Sequence, residues 1–162
     1  MNEIMNNNQQ TAPAKRPTYS LYAIDITPWV EQKPAGGKTL SYLSWAAAWH
    51  IVKRYFPDAT YEVIKDAHGR LFWCDPTGYV VGVRLTINGG ETYETWLPVM
   101  DSNNNSMRGE GYTYTTRFGE KTVEPADMRD ITDSIRRCLV KVIAEATGLG
   151  LSLWVPQGLP QI

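Results

Sequence analysis

Residues 125–151, PADMRDITDSIRRCLVKVIAEATGLGL, constrain the fold more than any other stretch of this chain. Met128, Ile131, Ile135, Cys138, Leu139, Val142, Ala146 and Leu149 recur at helical spacing and fall on one stripe. The segment therefore predicts an amphipathic helix whose apolar face the rest of the chain must cover. Gly148 and Gly150 follow this run and read as a helix stop. They do not lead into a helix, so they cannot form the phosphate-cradling loop of a nucleotide-binding fold. A cationic flank borders the stripe: Arg136, Arg137 and Lys141 sit on successive turns. No Asp or Glu occurs between Asp133 and Glu145, which leaves three uncompensated positive charges. Such a flank is a candidate phosphate-binding surface. Ordinary solvated charges, with acids near the helix N-terminus and bases further along, produce the same pattern.

A chain of 162 residues suits one domain that buries roughly two thirds of its unfolded surface. The formal net charge of -1 denies the whole molecule the basic excess common in nucleic-acid binders, so any such binding must use a local basic surface. Six Trp and nine Tyr are consistent with base-stacking platforms and equally with a packed core and subunit interfaces; most are expected to serve packing. Cys74 and Cys138, without metal spacing or a secretory signal, read as two reduced, buried thiols. No apolar run approaches a membrane span, and the protein is expected in the cytoplasm where it is made.

Residues 1–17, polar and without apolar periodicity, are expected to be a disordered tail. Residues 18–38 carry Tyr19, Leu21, Tyr22, Ile24, Ile26 and Trp29, interrupted by Pro28 and Pro34, and predict an extended arm. It lies either on a neighbouring subunit, with Tyr22, Ile24 and Trp29 as interface residues, or on its own core. Residues 39–162 form the main domain. A first helix is predicted over 41–56, with Ser41 as N-cap, Pro57 as its stop, and Trp45, Trp49, Val52 and Phe56 on a core face. Strands follow over 61–67, 71–74, 79–87 and 91–100. Asn88-Gly89-Gly90 marks a tight hairpin between the last two. Tyr79, Val81, Val83, Leu85 and Ile87 alternate with Val80, Gly82, Arg84, Thr86 and Asn88, so the helices are expected on the face of the first set. Residues 101–124 are polar and loop-like, with TYTTR able to form another strand or a short hairpin.

Helix opening LSYLSWAAAW, strand run ending ETWLPVMD, last helix with RRCLVK and GLGL: in this order they resemble the Sak-three-type phage single-strand annealing proteins, of the superfamily of the eukaryotic recombination mediator Rad-fifty-two. The resemblance covers about residues 40–153. It implies pairing of complementary single strands without nucleotide, on an oligomeric ring or helical filament. It also places a basic pair of the last helix, Arg136 and Arg137 here, against a strand-bound groove, with Lys141 one position from a further basic site. The basic residue that the eukaryotic relatives carry midway along the first helix is replaced by Ala46-Ala47-Ala48. Arg84, Lys65, Arg70, Arg108 and Arg117 are candidate substitutes for it.

Catalytic constellations are not found. His50 and His68 lack ligand partners at metal spacing. Asp58, Glu62 and Lys65 fail the nuclease pattern because two residues separate Glu62 from Lys65, which puts them on opposite faces of a regular strand. The sequence thus predicts an α+β domain, an antiparallel meander of three to five strands packed with two main helices. It is expected to bind single-stranded DNA and anneal complementary strands without ATP, as a homo-oligomer, with no cofactor and no catalysis. A phage exonuclease or a single-strand-binding protein stands as a further candidate partner. The alternatives are a metal-dependent nuclease using Glu62, Asp75 and Glu94, and a structural oligomer without annealing activity.

Overall fold

A computed structural model of the chain describes residues 20–35 and 37–156. The expected tail over 1–17 lies outside them. The architecture is α+β, as the patterning predicts. Antiparallel hairpin β1 (Val30–Ala35) and β2 (Lys38–Leu43) leads into helix α1 (Trp45–Tyr55). Strands β3 (Thr60–Val63), β4 (Trp73–Asp75), β5 (Gly78–Ile87) and β6 (Glu91–Pro98) form the main sheet, hairpin β7 (Tyr112–Thr116) and β8 (Gly119–Val123) follows, and helix α2 (Met128–Thr147) closes the core.

The longest strand, β5, is the axis of the sheet. β6 pairs along one side of it, while β3 and β4 share the other, β3 against residues 83–86 and β4 against residues 78–80. The Asn88-Gly89 turn forms as predicted: Asn88 and Gly89 take φ of 52° and 75°, the left-handed values a tight hairpin needs. Gly89 N–H donates to Asp58 at 2.8 Å, tying this turn to the end of α1. The 101–124 region contains β7 and β8, so TYTTR is one arm of a hairpin.

Alternation along β5 sends Val81, Val83, Leu85 and Ile87 into the core, where they meet Ile131, Cys138, Leu139, Val142 and Ile143 of α2. Met128, predicted on the buried stripe, lies in the first turn of α2 and is exposed. Asp127 and Asp130 form a reciprocal capping box at that end, and Gly148 stops the helix with φ 81°.

Two expectations for α1 are corrected. Its N-cap is Ser44, whose hydroxyl accepts from Ala47 N–H at 3.3 Å; Ser41 is a β2 residue hydrogen-bonded to Gln32 across the hairpin. Strand pairing runs through Leu43, so the helix cannot begin earlier. Its buried residues are Ala48, Ile51 and Val52, with Phe56 beyond the end, while Trp45 is exposed.

The arm packs on its own chain. Leu21 is buried, and its N–H donates to Thr147 O at 2.8 Å, satisfying one of the carbonyls that a helix end leaves unpaired. Tyr22 rests on Gly148, where any Cβ would come within 2.8 Å of it. Ile24 and Ile26 pack against the core, whereas Tyr22 and Trp29 keep much of their surface exposed. Residues 30–35 then pair as β1. Among the described residues, no helix is long and apolar enough to cross a membrane.

Candidate nucleic-acid interface

Successive residues of an α-helix are turned by about 100°, so Arg136 and Arg137 cannot face the same way. In the structure they lie on opposite flanks of the apolar stripe of α2. Arg136 leans toward α1, its guanidinium 5.6 Å from the Trp45 ring centroid and 3.8 Å from Asp133. Arg137 stands on the other flank, one turn before Lys141. Lys141 reaches the edge of the sheet, donating to Trp96 O at 3.0 Å, and lies 3.7 Å from Glu145. The flank is therefore not uncompensated, as the acid-free run between 133 and 145 suggests: the acids bounding that run fold back on Arg136 and Lys141. Exposed pairs of this kind are weak, and much of the positive field survives them. Arg137 has no ion pair or hydrogen bond from its side chain among the described residues.

Indole rings accompany the cations. Trp96 stacks edge-to-face on Trp73 with centroids 5.9 Å apart, on the sheet surface turned away from α2. Gly82 makes this possible, because a Cβ there would sit 2.7 Å from the Trp96 ring. Trp29, Trp45, Trp73, Trp96 and Trp154 are all exposed, and none of the six tryptophans is buried. Among the described residues Phe56 is the only fully buried aromatic side chain, while Trp49, Phe72, Tyr79, Tyr93, Tyr112 and Tyr114 pack half-buried against the core. Sequence reasoning missed Trp45 as a neighbour of the basic helix, and Trp96 with Trp73 as an exposed pair on the far face of the sheet. The number of tryptophans was the available signal, but their exposure is a tertiary property.

The other predicted cations are dispersed. Arg84 is held between Glu94, at 2.6 Å, and Glu62, and both carboxylates favour its charged form. These are two of the three carboxylates of the nuclease alternative, and one guanidinium engages both. Asp75 closes a turn by accepting from Thr77 N–H at 2.7 Å. Arg70 pairs with Asp66 at 2.6 Å in the β3–β4 connection, where Lys65 is exposed. Arg108 stacks 3.9 Å from the Tyr112 ring, and Arg117 lies beside Phe118 at the β7–β8 tip. No cluster of three or more His, Cys, Asp or Glu side chains suited to a metal occurs among the described residues.

The two thiols differ. Cys138 is buried, with its sulfur 3.4 Å from Thr95 O, and burial pushes the thiol up to about 11 against a smaller opposing pull from Lys141. Cys74, expected to be buried, is exposed, because β4 is a short outer strand.

What this arrangement offers chemically is an ammonium and two guanidinium groups for phosphates, and flat indole faces for bases. None of the curated proteins compared with the chain matches it. The family model described as Sak Single Strand Annealing Protein matches residues 18–162, from the arm through α2 and beyond. The chain belongs to the Sak single strand annealing protein family.

Proposed function

We propose that this annealing protein binds single-stranded DNA along α2 and pairs complementary strands without ATP. The observation that carries this is the Arg137–Lys141 ridge, which reaches β6 at the Trp96 carbonyl, with the Trp96 and Trp73 rings exposed together across β5 on the far face of the same sheet, and Arg136 over exposed Trp45 on the opposite flank of α2. Phosphate contacts hold a strand without reading its sequence, and stacking uses the face of a base while leaving its pairing edge open. Annealing requires both. Arg136, Arg137 and Lys141 are the primary contacts in this proposal. Arg84, whose charge two carboxylates already meet, and Lys65, Arg70, Arg108 and Arg117, scattered over separate turns, are secondary.

Display of several bound strands on a homo-oligomer, ring or filament, raises the local concentration of partners and speeds their encounter. The exposed Tyr22 and Trp29 of the arm and its half-buried Ile24 are the proposed interface residues. The test mixes the protein with two complementary oligonucleotides in excess EDTA and no nucleotide. Accelerated pairing with both strands at full length is expected. Binding without acceleration at any protein-to-nucleotide ratio would leave only a coating module, and shortening of strands on adding magnesium or manganese would favour the nuclease.

A further inference from the structure

Phe118 has no place in its own chain. At the tip of the β7–β8 hairpin it is 79% exposed, more than any other large apolar side chain described. The tip is ordered by its own hydrogen bonds: Phe118 N–H donates to the Thr116 hydroxyl at 3.1 Å, and that hydroxyl donates to Gly119 O at 3.0 Å. Burying a phenyl ring that the hairpin holds in this position would recover hydrophobic free energy at little cost in ordering. Elsewhere on the molecule a concavity of about 440 Å³ opens between the arm and the start of α1. Ala46 and Ala47 leave room on its helix side, the rings of Trp29 and His50 stand 5.7 Å apart at its wall, and Glu31 lies at its edge. Glu31 is held there by accepting the Tyr42 hydroxyl at 2.8 Å.

We propose that Phe118 of one copy seats in the Trp29–Ala46–Ala47–His50 concavity of a second copy, with Arg117 beside the knob meeting Glu31 beside the hole. The proposal rests on the oligomer inferred above and names its contact. Aromatic walls suit an aromatic knob, and the charges flanking the two features are opposite in sign. Knob and hole lie on different parts of the chain, so the contact is heterologous: each copy gives one knob and accepts another. Such contacts propagate to a ring when the rotation closes and to a helical filament when it does not. Ala46 and Ala47 keep the hole open, since a long side chain at either would fill it.

Light scattering on the full chain in a Cys74→Ser background tests this. Phe118→Asp removes the knob and Ala46→Trp fills the hole; both positions are exposed, so both variants should fold, as circular dichroism will show. Each alone should need at least tenfold higher concentration to assemble. An equimolar mixture of the two should give dimers and nothing larger, because only one junction per pair remains intact. Arg117→Glu and Glu31→Arg should each weaken assembly, and the two together in one chain should restore it. If the unmodified chain is a monomer at every concentration, with and without DNA, the oligomer itself is refuted. If the unmodified chain assembles but both single variants assemble equally well and the charge reversals are silent, this contact alone is overturned.

Discussion

At the scale of single residues, the 100° between Arg136 and Arg137 separates two kinds of contact that one basic pair would merge. Replacing either by Ala should weaken single-strand binding and lower the slope of log K against log salt by roughly 0.7 per lost phosphate contact. The Arg136 and Arg137 effects should add, since the residues stand on opposite flanks, whereas Arg137 and Lys141, one turn apart on one ridge, should be coupled. Titrations at several salt concentrations check this, and an unchanged slope in a folded double mutant would remove the arginines from the site. Gly82→Ala tests the indole platform: its methyl meets the Trp96 ring at 2.7 Å and should cost about 1–3 kcal/mol by overpacking, read from the urea midpoint. Cys138 retains its proton in the folded chain up to about 11, against an ordinary 9.0. Between those values the unfolded chain loses the proton and the folded chain keeps it, so stability is full below pH 9 and declines as pH rises toward 11. A Cys138→Ala variant should decline less over that window, and thiol labelling of the native chain should modify Cys74 alone.

At the scale of elements, the arm joins folding to assembly. Its Leu21 is buried against the end of α2 and closes the Thr147 carbonyl, so Leu21→Ala should destabilise the single chain by about 2–5 kcal/mol. Deleting residues 1–17 spares every described contact and should change neither stability nor particle size. Deleting through Trp29 should lower the melting temperature as well as impair assembly, and only scattering beside calorimetry will separate the two effects. A deletion that reduced particle size with no loss of stability would place the arm wholly at the interface. Helix α2 was legible because twenty residues of periodic sequence bounded by Asp127 and Gly148 admit little else. Helix α1 was less so: the serines at 41 and 44 are both acceptable caps, and the pairing of β2 with β1 selects the second.

At the scale of the whole molecule, a net charge of -1 confines DNA binding to a local basic surface, and the proposed phosphate contacts make that binding easily weakened by salt. Annealing rates should therefore fall as salt rises while remaining insensitive to base sequence, measured with oligonucleotide pairs of different composition at several ionic strengths. A rate that followed sequence would mean that base edges are being read. Local periodicity and turn chemistry determined the α+β class, the Asn88-Gly89 hairpin, the inward face of β5 and the course of α2, because each depends on residues close together in the chain. The motif order determined the family in the same way. Only the tertiary structure decided that Arg84 lies between Glu62 and Glu94, that Asp133 and Glu145 reach the cations of α2, and that five tryptophans stay at the surface. Those facts depend on strand register and on which face another element covers. A charge or an indole in a one-dimensional sequence carries no record of either.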